Sequence, residues 1–153
     1  GTAPVPDMLK AGVKVGLGTD GASSNNNLDV LEEARLAAFL HKLANNDPTV
    51  IPAGQALVMA TLGGAKAMGM ASDIGSLEPG KKADIILLDT TKPHMYPKHD
   101  LTSHIIYSAR ASDVATVIIN GKLVMEDSIL IAIDEQKILR MADERAKALV
   151  AKA

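Results

Sequence analysis

Val13-Lys14-Val15-Gly16-Leu17-Gly18-Thr19-Asp20-Gly21, followed by Ala22-Ser23-Ser24-Asn25-Asn26-Asn27, is the stretch whose reading decides the fold. Val13, Val15 and Leu17 alternate with Lys14 and Gly16, a period of two that predicts a strand over 13–18. Gly18 and Gly21 bracket Asp20 with backbone freedom, so the strand stops abruptly and presents one carboxylate at its carboxyl end. Where parallel strands gather, functional side chains collect at those ends. An Asx-type turn, in which Asp20 bonds only the backbone that follows it, satisfies the same residues. The stretch alone leaves both readings open.

Working outward, Pro4, Pro6 and the absence of an initiator Met make residues 1–6 resemble the continuation of a longer polypeptide. Met8, Leu9 and Val13 predict a short helix that Gly12 closes. Asp29 is a helix cap with Glu32 as its capping-box partner. Leu28, Leu31, Ala34, Ala38 and Leu40 then form one stripe through about Leu43, and Asn45-Asn46-Asp47-Pro48 ends it. A second helix is expected from Pro52, with Gly63-Gly64 as a bend or a boundary. From Ser72 the pattern changes. Ile74 to Leu77 reads as a short strand, and Glu78-Pro79-Gly80 as a type II turn. Asp84 to Asp89 reads as a strand buried on both faces. Thr90 to Asp100 is a Pro-bounded loop, and Val114 to Asn120 a strand. Asn120-Gly121 is a hairpin signal, with Lys122 to Met125 returning. Asp134 caps a last helix with Ile138, Ala142, Arg145 and Leu149 facing the core. Closely spaced strands cannot be joined by parallel crossovers, so the later ones are expected to form an antiparallel unit.

Composition narrows the function. A chain of 153 residues with 47% apolar residues is long enough for a real core. No apolar run reaches the ~18 residues of a membrane span. A net charge of −2 argues against a nucleic-acid or anionic-membrane partner. With no cysteine, any metal falls to His, Asp or Glu. No signal segment opens the chain, so a cytoplasmic location is expected. Phe39, Tyr96 and Tyr107 are the only aromatics, which leaves the seven Met to fill core gaps. Ser23 and Ser24 have no sequence partner that would make a nucleophile. His94 and His99 read as surface-loop residues, His41 as lying on the polar side of its helix, and His104 as carrying no role. Lys81-Lys82 reads as solvated.

Three motifs occur in order: Gly18-Thr19-Asp20-Gly21 with Ser24-Asn25-Asn26 and Leu28-Asp29, then Gly75-Ser76-Leu77-Glu78-Pro79-Gly80-Lys81-Lys82-Ala83-Asp84-Ile85, then Val117-Ile118-Ile119-Asn120-Gly121. Together they resemble the carboxyl-terminal part of the amidohydrolase superfamily. Within it they are most similar to the 5-methylthioadenosine/S-adenosylhomocysteine deaminases and related triazine hydrolases. The resemblance implies an α/β fold, with Val13–Gly18 as the eighth strand of a (β/α)8 barrel. Residues 1–71 would end the barrel, 72–130 would belong to a composite β-sandwich, and 131–153 would be a final helix.

By the same resemblance Asp20 ligates a divalent metal, zinc or alternatively iron, and carries the catalytic proton. Asn25, Asn26 and Asn27 sit just past Asp20 in the same loop, placed either to line the mouth of the substrate pocket, Asn25 and Asn26 foremost, or to serve as turn and cap residues before the Asp29 helix. Such enzymes also use a His-x-His pair on the first strand and histidines on the fifth and sixth. None of these occurs here, since His41, His94, His99 and His104 all follow Asp20. The chain is therefore expected to be roughly the last third of a metal-dependent aminohydrolase acting on a purine nucleoside, inactive alone. Its expected partners are the upstream part of the same protein or a second copy, in a homo-oligomer. A guanine- or triazine-type hydrolase is the alternative within the superfamily. A non-catalytic scaffold fragment is the alternative outside it.

Overall fold

The computed structural model describes residues 2–151; the end residues Gly1, Lys152 and Ala153 of the first and last expected segments lie outside the described residues. A helical layer comes first. Helix α1 (Val5–Lys10) is closed by Gly12 at φ +79°. Helix α2 (Val30–Asn45) starts at Asp29, whose Oδ1 accepts from the Leu31 and Glu32 amides, and ends on Asn46 in the left-handed region. The Glu32 half of the capping box is not made, because Glu32 instead accepts from the Asn27 side-chain amide. Helix α3 (Ala53–Val58) runs through a π turn (Met59–Gly63) into α4 (Gly64–Ala67), so the glycine pair lies within a continuous helical path.

The core lies between α2, α3 and a helix absent from the sequence reading, α5 (Leu101–Tyr107). Its start is signalled by Asp100, whose carboxylate accepts from the Thr102 and Ser103 amides. Ala34, Ala38, Ala53 and Ala56 are small enough to let the helices close on Ile51, Met59 and Ile106. Met59 and Met95 are buried gap-fillers, whereas Met68 is exposed. His41 is buried rather than on the polar face, because α2 is covered on that side by the core. Burial holds its imidazole below the usual histidine range.

The second layer is one antiparallel sheet in the order β1 (Ile85–Leu88), β2 (Val114–Ile119), β3 (Lys122–Glu126), β4 (Ile129–Leu130). Ile85 pairs with Ile118, and Ile118 with Leu123. Asn120 and Gly121 both have positive φ, as a tight hairpin turn requires, and Asp127-Ser128 repeats the device before β4. Asp84 Oδ1 accepts from the Asn120 amide at 2.7 Å and the Ala83 carbonyl from the Gly121 amide at 2.9 Å. The third motif is thus fastened to the end of the second.

Four expectations need correction. Val13–Gly18 has no ladder, because no described strand lies beside it, although Val15 and Leu17 are half-buried and their neighbours exposed. Ile74–Leu77 is turn rather than strand. Gly75 has φ +93° and presses so closely on the helix that a Cβ would lie 2.7 Å from Ala65 Cβ and 3.0 Å from Leu62 Cα. The turn after it is as expected, with Gly80 at φ +94° and the Lys81 amide on the Glu78 carbonyl. Strand β1 is not covered on both faces: it is an edge, with Ile86 and Leu87 about half exposed. Helix α6 (Glu135–Val150), capped by Asp134 as expected, buries no residue, and its Ile138 and Leu149 are exposed rather than facing a core.

Candidate functional site

Asp20 is placed by the segment before it. Val15-Gly16 crosses the helical path at its glycine pair, where a Cβ on Gly16 would meet Gly64 Cα at 2.7 Å and one on Gly63 would meet the Val15 carbonyl at 2.7 Å. Two backbones can approach so closely only where side chains are absent. The Leu17 amide donates to the Met59 carbonyl at 3.2 Å, in the π turn. Turns of this kind disturb the regular helical ladder and often mark functional positions. Past that anchor the chain emerges from the core and reaches Asp20 at the surface.

Asp20 adopts φ +58°, an uncommon conformation for a residue with a side chain. Its Oδ1 accepts from the Gly21 amide at 2.7 Å and its Oδ2 from the Ser24 hydroxyl at 3.0 Å. The Gly21 amide, followed by the Ser24 hydroxyl, lowers the Asp20 carboxyl below the usual carboxylate range. The group is therefore an ionised, exposed, doubly bonded carboxylate with an unused lone pair on each oxygen. The backbone bond goes to the adjacent Gly21 amide rather than two residues on as an Asx turn requires, and neither of the two bonds consumes the carboxylate's capacity to bind an ion.

The asparagines divide. Asn25 is half-buried, and its Nδ2 donates to Glu33 Oε1 at 2.6 Å. Asn27 donates to Glu32, so both tie the loop to the first turn of α2. Asn26 is exposed and makes no side-chain hydrogen bond among the described residues.

A divalent ion could use Asp20 as an oxygen donor. Among the described residues, however, no group of three or more His, Cys, Asp or Glu side chains is arranged to hold one. Catalytic zinc takes three protein ligands and a water. Asp20 fits as one ligand of such a set and not as the set.

The histidines are elsewhere. Buried Asp113 gathers Lys92 Nζ at 2.9 Å, His94 Nε2 at 2.7 Å and the Arg110 amide at 2.9 Å. Burial would raise its carboxyl, but Lys92, His94 and the Arg110 amide outweigh that and hold it at about 2. His94 is thus a structural partner rather than a plain surface residue. The signal missed in the sequence was the acid 19 residues downstream. His104 Nδ1 lies 2.6 Å from the Asp100 carbonyl, at its own helix start. Lys81 is not solvated: its ammonium reaches the Ala71 carbonyl, Ser76 Oγ and Glu78. No described helix is long and apolar enough to cross a membrane.

The model of the amidohydrolase family matches residues 1–124. The chain is 55% identical over 150 residues to the 5-methylthioadenosine/S-adenosylhomocysteine deaminase of Pelotomaculum thermopropionicum, covering 98% of this chain and 34% of that one. It superimposes with a TM-score of 0.96 on an adenosine deaminase from Xanthomonas campestris with bound zinc, at 37% identity over 99% of this chain and 34% of that one. It also matches a zinc complex of atrazine chlorohydrolase from Arthrobacter aurescens, with a TM-score of 0.86 and 30% identity over 94% of this chain and 32% of the other. The chain spans about a third of the length of the curated relatives it matches.

Proposed function

The chain belongs to the amidohydrolase family, and we propose on that premise that it is the carboxyl-terminal part of a metal-dependent enzyme that hydrolytically deaminates a purine nucleoside. The substrate class is that of methylthioadenosine and S-adenosylhomocysteine. The observation that carries the reading is the exposed, ionised Asp20, fixed at both oxygens where an anchored segment leaves the core.

In this reading Val13–Gly18 is the eighth strand of a (β/α)8 barrel, and its missing ladder partner is a neighbouring strand of the rest of the protein. Residues 1–71 close the barrel, residues 72–130 belong to the β-sandwich and residues 131–153 form a terminal helix. The exposed apolar side chains of Val13, Ile86 and Ile138 then face polypeptide outside this chain, its own upstream part or another copy in a homo-oligomer. The substrate is a small molecule, and neither nucleic acid nor membrane is a partner.

Displacing an amine from a heterocycle by water needs a strong nucleophile at neutral pH. A bound divalent metal, zinc by analogy with the two neighbours or else iron, supplies it by lowering the pKa of water from about 15.7 to about 7. Asp20 contributes one oxygen ligand. Its carboxylate also accepts the proton released by the attacking water and returns it to the leaving amine, which departs as ammonia. Ionisation at neutral pH suits it to begin that cycle as a base. Asn26, whose side-chain amide makes no hydrogen bond among the described residues, contacts the substrate, and Asn25 contributes through its side-chain oxygen, which also accepts from the Asn27 amide at 3.4 Å, while its NH2 donates to Glu33.

The test is to incubate the full-length gene product, loaded with zinc, with methylthioadenosine, S-adenosylhomocysteine, guanine and a chlorotriazine, and to measure ammonia and chloride release. Ammonia from the two nucleosides supports the proposal. Release only from guanine or the triazine moves the substrate class within the family. No release from any of them favours a scaffold role.

A further inference from the structure

We infer that Ser24 is the positioning residue of the Asp20 carboxylate, itself held in register by an Asn25–Glu33 tether to helix α2; this rests on the role proposed for Asp20. A carboxylate bound only through its own backbone turn can rotate about its side-chain torsions. Here the two oxygens are held from different directions, by the Gly21 amide at 2.7 Å and the Ser24 hydroxyl at 3.0 Å. The second bond restricts the orientation of the carboxylate plane and leaves one lone pair on each oxygen for another partner. The backbone of Ser24 is fixed by its turn. Its amide and that of Asn25 both donate to the Gly21 carbonyl at 3.0 Å, which folds the loop back on Asp20.

What stops that small turn from drifting is the next residue. Asn25 Nδ2 donates to Glu33 Oε1 at 2.6 Å, in the first turn of a 16-residue helix. That helix start is itself fixed to the sheet side, because Asp29 Oδ2 accepts from the Ala111 amide at 2.9 Å. The order of support therefore runs from α2 through Glu33 and Asn25 to Ser24 and Asp20. A reacting group needs its geometry held within about 0.5 Å, and a loop achieves that only through such support. Partners behind a metal ligand typically contribute 10–100-fold in metal affinity or activity.

The experiment uses the full-length zinc enzyme, comparing S24A, S24T, E33A, D20N and the double variant S24A/D20N. Zinc retained against a competing chelator is measured beside kcat and KM. In S24A, zinc retention and kcat should each fall about 10–100-fold while KM stays near wild type. S24T keeps the hydroxyl and should restore both, and E33A should lie between S24A and wild type. In the D20N background S24A should cause no further loss of zinc, because the two act as one unit. The inference is overturned if S24A keeps zinc and rate, if S24T fails to restore them, or if S24A costs as much in D20N as in wild type. Retention of zinc and rate by D20N removes the Asp20 role itself. Loss in D20N with none in S24A removes only the inference about Ser24.

Discussion

Replacing Gly16 by alanine should disable the site without touching any residue in it. The added Cβ would stand 2.7 Å from Gly64 Cα and 3.3 Å from Gly64 N, both backbone atoms that no rotamer change can move. Ordinary contact begins at 3.4 Å, so the two backbones must separate by about 0.7 Å. The helix is the less yielding partner, being fixed in the core through buried Ala56, Met59 and Ala65. Segment 13–19 therefore shifts, and its bond from the Leu17 amide to Met59, already 3.2 Å long, leaves hydrogen-bond range. Overpacking of this kind costs about 1–3 kcal/mol. Asp20 lies four residues on and follows the shift, and misplacing a reacting group by about 1 Å costs on the order of 100-fold in rate. Gly64→Ala is the control. Its Cβ would lie 3.7 Å from the Met59 carbonyl and 4.0 Å from Gly16 Cα, so it is accommodated and gains helix propensity. Steady-state kinetics and thermal melts of the full-length variants decide the matter. A Gly16→Ala enzyme with kcat within about twofold of wild type and an unchanged melting temperature would refute the reasoning.

Asp113→Ala should lower stability by about 2 kcal/mol, less than for a fully buried pair because Lys92 and His94 can regain water. The same group predicts an acid limb. Its folded pKa is depressed, so its contribution is complete above the unfolded value of 3.8 and is lost as pH falls towards about 2, by about 2 kcal/mol in urea unfolding. A wild-type stability flat across that window would contradict the cluster's role. Asp29→Ala should cost about 1–2 kcal/mol by removing the α2 cap together with its bond to the Ala111 amide. Asp29→Asn keeps the cap and should lose only part of this. Equal denaturation midpoints for Ala and Asn would show that the cap contributes nothing.

Much of this was written locally. The cap at Asp29, the stop at Asn46, the Pro79-Gly80 turn and the Asn120-Gly121 hairpin each rest on a single residue's conformational preference, and each formed where expected. What failed depended on neighbours. The alternation is realised at Val15 and Leu17, half-buried between exposed neighbours, while Val13 is exposed, and a ladder needs a second strand beside it. The stripe on α6 is a true helical stripe, but a stripe does not say what it faces. At the site, the Gly-Asp-Gly spacing located the carboxylate. The side chains that hold it were hidden, because Asp20 to Ser24 and Asn25 to Glu33 become contacts only once the loop turns back on itself. The asparagine run read as a pocket lining includes two members that serve as ties to α2.

The most direct test of the central claim is a crystal structure of the full-length protein with zinc bound, from which the separation between the ion and the Asp20 carboxylate is measured. An Asp20 oxygen at about 2.0–2.2 Å from the ion, with the other oxygen still bonded to its loop partner, is the predicted result. An ion held wholly by other side chains, with Asp20 turned away from it, would contradict the account.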